Sequence, residues 1–226
     1  MGSLKTQKRL VDQCRKSDQT QQSFSSEVFA DVVTDAGVMG FVLASLPRKV
    51  APILWVQDHL SRKETGAPYL PGIGIKRPII QVTVSRAADA LFAIEEGLRC
   101  HSLTAVMGEI WGDPPALDFT ATKRLSMRAE AARMPCWLIR RAASADLSAA
   151  RDRWRVKSLP SAPHPQDIHA PGAPRWQVTL FRSRNRSPGT WVASYDGTAD
   201  RFNLAAPFRD GEVAARDGAT GQRAAG

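Results

Sequence analysis

Residues 103–140 read LTAVMGEIWGDPPALDFTATKRLSMRAEAARMPCWLIR. The apolar run Leu103–Ile110 has the length and composition of a buried strand. A turn containing Gly and Pro follows, and Asp118 or Thr120 is placed to cap a helix continuing to about Arg133. Pro135–Arg140 then returns as a second apolar strand. Two strands joined through a helix are the mark of a parallel pair, because a parallel connection needs a long crossover.

The same alternation extends toward the N-terminus. Ala36–Leu46 (AGVMGFVLASL) reads as a buried helix stopped by Pro47, and Pro52–Asp58 (PILWVQD) as a buried strand. A loop rich in Gly and Pro, Gly66–Gly74, leads to the strand Ile79–Val84. The helix that follows spans about Arg86–Cys100, with Leu91, Ile94 and Leu98 on one face and the pair Glu95 and Arg99 on the other. Strands alternating with helices predict an α/β fold: a mainly parallel sheet flanked by helices on both faces.

Beyond Arg140 the texture changes. Trp154–Val156 is a candidate short strand, and the proline-rich residues 158–174 read as an extended surface loop. Arg175–Phe181 and Thr190–Tyr195 alternate like strands and form a C-terminal antiparallel hairpin. Trp176, Val178 and Leu180 share one face, as do Trp191, Ala193 and Tyr195 on the return strand, which predicts packing against the core. Residues 1–22 form a basic helix or arm with a weak apolar stripe of Leu4, Val11 and Cys14. Residues 204–226 carry few large apolar groups and are expected to be a disordered tail. The core domain is therefore placed at 23–203, between flexible ends.

Composition bounds the function. The chain has 226 residues, 43% of them hydrophobic, enough for one α/β core. No apolar run approaches the roughly 18 residues of a spanning helix, and no apolar leader follows the start, so a cytoplasmic protein is expected. Three scattered cysteines and four scattered histidines offer neither a disulfide framework nor metal-ligand spacing. The formal charge of +9 attracts polyanions, which suits DNA, RNA or an acidic partner and equally a surface solvated by arginine.

An alternating α/β domain invites a search for a phosphate-binding loop, GxxxxGK[ST], whose backbone N–H groups close on phosphates. No lysine directly follows a glycine anywhere in the chain. The corresponding stretch, Phe29–Gly37 (FADVVTDAG), instead carries two aspartates that would repel a triphosphate. Glu109 ends an apolar strand, where a P-loop ATPase holds Mg²⁺ or water. Without a P-loop it reads as a carboxylate at a strand terminus, a vestigial Walker B candidate only. Nucleophile-elbow, HExxH and Cys–His patterns are also missing, so no catalytic, cofactor-binding or metal-binding residue is assigned. Two basic groups remain. Arg182, Arg184 and Arg186 alternate near the hairpin tip and, if extended, point the same way to clamp phosphates; a solvated turn accounts for them equally. Lys123, Arg124 and Arg128 line a helix face that is read first as solvated. Both groups are candidate nucleic-acid or partner contacts, with weak non-specific DNA binding in view.

Read in order, ILWVQD, IIQVTV, DALFAIEEGLRC, LTAVMGEI, FTATKRLSMRAEAA and PCWLIR resemble a RecA-family core. The closer resemblance is to the ImuA family, RecA-related accessory proteins of bacterial SOS mutagenesis. It rests on Leu54–Gln57, Pro71–Gly74, Ala93–Arg99 and Val106–Glu109. It continues through Ala121–Leu125, Ala150–Val156, Pro174–Trp176, Leu180–Arg184 and Pro188–Trp191, over about residues 24–203. The resemblance implies a non-catalytic adaptor in SOS-induced error-prone translesion DNA synthesis. Its implied partners in the damage-induced mutasome are an ImuB-like Y-family polymerase relative and an error-prone C-family polymerase, with a link to RecA. Two alternatives stay open: a nucleotide-dependent DNA-binding ATPase with a cryptic phosphate site, and a regulator of RecA or of cell division.

Overall fold

The computed structural model describes residues 23–69, 77–167, 169–197 and 201–205. The expected arm over 1–22, residues 70–74 of the Gly/Pro loop and residues 206–226 of the expected tail lie outside the described residues; Leu204 and Ala205, expected in that tail, belong to a strand.

Nine strands form one sheet: β1 (Ser25–Ala30), β2 (Ile53–Asp58), β3 (Ile79–Val84), β4 (Ala105–Trp111), β5 (Cys136–Arg141), β6 (Asp152–Leu159), β7 (Arg175–Ser183), β8 (Gly189–Asp196) and β9 (Arg201–Ala205). Their order is β3-β2-β4-β5-β1-β6-β7-β8-β9. Every pairing from β3 to β6 is parallel, and β6 through β9 pair antiparallel. This is the expected fold class, a mainly parallel sheet flanked by helices with antiparallel strands at its C-terminal end.

Four helices are present among the described residues: α1 (Gly37–Ser45), α2 (His59–Thr65), α3 (Ala87–Gly97) and α4 (Phe119–Ala132). None is long and apolar enough to cross a membrane. Helices α3 and α4 cover one face of the parallel half, packing Leu91, Ile94, Leu98 and Leu125 on Leu54, Val56, Val106 and Leu138. The fit is close at Gly108 of β4, where an added Cβ would lie 2.3 Å from Ile94 Cδ1. Helix α1 covers the opposite face. It has no charged residue, as a helix buried on nearly all sides requires.

Phe41 of α1 is the hub of that second layer. Its ring lies 5.9 Å from those of Trp137 and Trp154, 6.3 Å from Trp176 and 5.8 Å from Phe202. The hairpin residues Trp176, Val178, Leu180 and Ala193 are buried in this cluster, with Trp191 and Tyr195 packed against it. The alternation read from β7 and β8 is therefore core packing. Cys136 is buried and Cys100 exposed, both free; burial pushes the Cys136 thiol up to about 12.

Several elements go beyond the sequence reading. β1 has the composition SSEVFA, and its central Glu27 broke the apolar run that would have marked a strand. α2 is a short helix capped by Asp58 and ended at Gly66, whose φ of +69° only glycine adopts freely. β6 is longer than Trp154–Val156, and β9 adds an unforeseen edge strand, pairing Leu204 with Ala193 and Ala205 with Val192.

Because Phe41 is 2% exposed and joins α1 to both halves of the sheet, Phe41→Ala is expected to lower unfolding free energy by about 3–5 kcal/mol. Phe92→Ala, at a side chain 67% exposed on α3, should stay within about 0.5 kcal/mol of the parent. Urea denaturation followed by tryptophan fluorescence measures both.

Candidate functional site

In open α/β sheets ligands bind in the crevice beyond the carboxyl ends of the parallel strands. Here that place is filled by the protein's own charges. Glu109, two residues before the end of β4, is 1% exposed. Its Oε1 accepts from Arg141 Nε at 2.9 Å and from Thr65 Oγ1 at 3.4 Å. Its Oε2 accepts from Gln57 Nε2 at 2.8 Å. Gln57 is held in turn by Gln81, whose Nε2 donates to its Oε1 at 2.7 Å. Both carboxylate oxygens thus face donors supplied by β2, β5 and α2.

Arg141 connects this carboxylate to the loop between β1 and α1, the stretch in which a P-loop would lie. Its Nη1 donates to the carbonyl oxygens of Val33 and Asp35, at 3.0 and 2.7 Å. A phosphate-binding loop turns N–H groups toward its ligand, whereas here two carbonyls converge on a guanidinium. The N-terminus of α1 has an internal anion as well. The Asp35 carboxylate accepts from Gly37 N–H at 2.8 Å, from Ser158 N–H at 2.8 Å and from Ser158 Oγ at 2.6 Å. Gly37 permits that approach, since a Cβ there would fall 1.9 Å from Ser158 Oγ. Asp58 completes the rim, accepting from Ser61 N–H at 2.7 Å and Trp111 N–H at 2.8 Å.

A second buried ionic cluster sits beside the first. Glu27 of β1 is fully buried and accepts from Arg153 Nε at 2.8 Å and Ser148 Oγ at 2.9 Å, with Arg140 Nη1 at 3.7 Å. Arg140 also donates to Asp113 at 2.8 Å. Burial pulls the Arg140 guanidinium below its ordinary value, opposed by Glu27 and Asp113. The Phe29 ring stacks beneath Arg140 and Arg153, at 5.8 and 5.2 Å from their guanidinium carbons. Among the described residues no three His, Cys, Asp or Glu side chains gather in a way that could hold a metal ion.

The six cations singled out from sequence divide evenly. Arg124 and Arg128 both reach Glu95 on α3, Arg128 through Nε at 3.1 Å, and so tie α4 to α3. Arg186 folds back to pair with Asp152 and lies 5.2 Å over the Trp154 ring. β7 ends at Ser183, so Arg184 and Arg186 belong to a turn and do not continue the alternation with Arg182. The other three cations, Lys123, Arg182 and Arg184, are exposed and border one groove. Sequence reasoning missed Arg141, Arg153, Glu27 and Asp35. The available signal was charge inside strand-like runs: Glu27 in SSEVFA, and Arg140-Arg141 closing an apolar strand beside the one that Glu109 closes.

Removing one member of a buried pair leaves the other charged and unanswered. Glu109→Gln is accordingly expected to destabilise the fold by about 3–5 kcal/mol, and Arg141→Met comparably. The double variant should cost clearly less than the sum of the two. Chemical denaturation of all four proteins in a double-mutant cycle measures the coupling, and strictly additive costs would contradict it.

Comparison with known proteins places this geometry in a family. No protein-family model matches the chain. Two curated proteins do: Protein ImuA of Caulobacter vibrioides strain NA1000 / CB15N, and Protein ImuA of strain ATCC 19089 / CIP 103742 / CB 15. Each is 32% identical over 184 residues, covering 75% of this chain and 72% of the relative. A likeness of that extent establishes that the chain belongs to the ImuA family.

Proposed function

We propose that this protein is a non-catalytic adaptor in damage-induced, error-prone DNA synthesis. In this reading it acts in the cytoplasm with an ImuB-like relative of Y-family polymerases and with an error-prone C-family polymerase, and RecA is a further contact. The observation that carries the reading is the self-satisfied crevice. Glu109 is engaged by Arg141 and Gln57, and Asp35 takes the position of an anion at the start of α1. A triphosphate would have to displace the buried Glu109 network and the half-exposed Asp35 network, and meet the carbonyls of Val33 and Asp35. Desolvating its charge against those oxygens is strongly unfavourable. What remains for the fold to offer is surface, and the surface carries cations.

Hydrolysis is the first test. Phosphate release from ATP, with and without single-stranded DNA, is expected to stay at the level of buffer alone. Turnover abolished by Glu109→Gln, in a protein whose melting curve shows that it remains folded, would overturn the reading and make Glu109 a metal-site residue. The partner is the second test. The full chain should co-purify with the ImuB-like protein when the two are expressed together, and failure to do so under mild salt would remove the adaptor role.

A further inference from the structure

The groove bordered by Lys123, Arg182 and Arg184 lies between α4 and the ends of β6 and β7, and encloses about 380 Å³. Its floor is made by Ser126 and Ser148–Arg151. Every hydroxyl on that floor is engaged within the fold. Ser126 bonds to Ser25 Oγ at 2.6 Å and to the Ala149 carbonyl at 3.1 Å, and Ser148 bonds to Glu27. Ser183, at the edge, bonds to Asp152 at 2.6 Å. The N–H groups of Ala149, Ala150 and Arg151 donate to Thr122 Oγ1, Ser148 Oγ and the Ser25 carbonyl. Arg151 itself is paired with Glu130, through Nη2 at 2.9 Å.

A phosphate site needs several convergent donors, commonly backbone N–H groups. These floor groups are already taken, so no cradle of that kind is formed from them. The groove presents two other things. One is a rim of three cations, none within ion-pair distance of a carboxylate among the described residues: Lys123, Arg182 and Arg184. The other is an apolar strip on α4, where Phe119 is 43% exposed and Met127 57% exposed. They flank Lys123 at i−4 and i+4, on the same side of the helix. Arg184 feels the Glu130 carboxylate, but no close ion pair occupies any of the three. Apolar side chains framed by exposed cations complement a segment that carries acidic groups together with apolar anchors.

We propose that this groove is a docking site for an acidic peptide segment of a protein partner, its apolar side chains seated against Phe119 and Met127 and its carboxylates on Lys123, Arg182 and Arg184. The inference rests on the adaptor reading for its biological setting, but the site is testable without it. Two probes keep the two apart. The first is a fluorescent synthetic helix-forming peptide with Glu and Asp on one side and Leu and Phe on the other, titrated into the full-length chain and followed by anisotropy. A control peptide replaces each acid by Lys. The second probe is the intact ImuB-like protein.

The acidic peptide should bind, and the lysine peptide should not. The charge reversal K123E/R182E/R184E should weaken binding by about tenfold or more and flatten its salt dependence. F119A/M127A should weaken binding while leaving any affinity for a single-stranded oligonucleotide unchanged. All these side chains are exposed, and melting curves matching the parent would verify that the variants fold. Should the charge reversal misfold, K123Q/R182Q/R184Q serves in its place. An acidic peptide that fails to bind, or that binds both variants as tightly as the parent, would overturn the proposal. So would a charge reversal whose only effect is on the oligonucleotide, because the groove would then be a phosphate contact. If the peptide behaves as expected but the ImuB-like protein is not retained, the groove stands and the adaptor reading falls.

Discussion

A carboxylate and a guanidinium with almost no exposure to solvent, Glu109 and Arg141, hold the ends of the parallel strands together. Each would be prohibitively costly to bury alone, and each is answered by the other and by further hydrogen bonds. Through Arg141 the pair reaches from β5 to β4 and back to the loop that enters α1. Through Gln57 and Thr65 it reaches β2 and α2. The position at which related α/β proteins bind a ligand is thereby occupied by the protein's own hydrogen bonds. An ionic network of this kind contributes modestly to net stability but specifies one arrangement of the loops around it, since any other arrangement strands a charge.

The two halves of the sheet use different physics. On the parallel side, strands end in charge, and Glu27 with Arg153 repeats on β1 and β6 what Glu109 and Arg141 do on β4 and β5. On the antiparallel side the binding force is aromatic burial. Trp154, Trp176 and Trp191 from successive strands close over Phe41 or over one another. Helix α1 lies between the two regimes. At its N-terminus Gly37 N–H donates to the Asp35 carboxylate, and its middle turns fill the aromatic cluster. Asp35 also bonds Ser158 of β6, so the loop in P-loop position is latched to the antiparallel half rather than left open.

Much of this was legible in the sequence, for identifiable reasons. Ile53–Val56 and Ala105–Gly108 are continuous apolar runs within β2 and β4, because strands buried on both faces need no polar alternation. The apolar face of α3 and the Asp118 cap of α4 follow from helical spacing and from capping chemistry. The pair expected between Glu95 and Arg99 does not form, because Glu95 is buried against Arg124 and Arg128 while Arg99 bonds Glu96. β1 was not legible, because Glu27 within it acquires a partner only when β6 arrives from more than a hundred residues away. The same is true of the site. A lysine missing after glycine is a local fact, readable from the chain. The pairing of Glu109 with Arg141 is a tertiary fact, and neither residue names the other. Of the basic side chains, composition could say that they attract anions. It could not say that Arg124, Arg128 and Arg186 would be claimed by Glu95 and Asp152 while Lys123, Arg182 and Arg184 stayed exposed at one groove, Arg184 within Coulombic reach of Glu130.

We infer that the protein's own ions close the crevice to a nucleotide's charge. Direct binding tests it most plainly. A fluorescent ATP analogue with Mg²⁺, titrated with the full-length chain and followed by anisotropy, should show no saturable binding up to about 1 mM. Saturable binding in the micromolar range, competed by unlabelled ATP and abolished by Glu109→Gln in a protein that remains folded, would contradict the account.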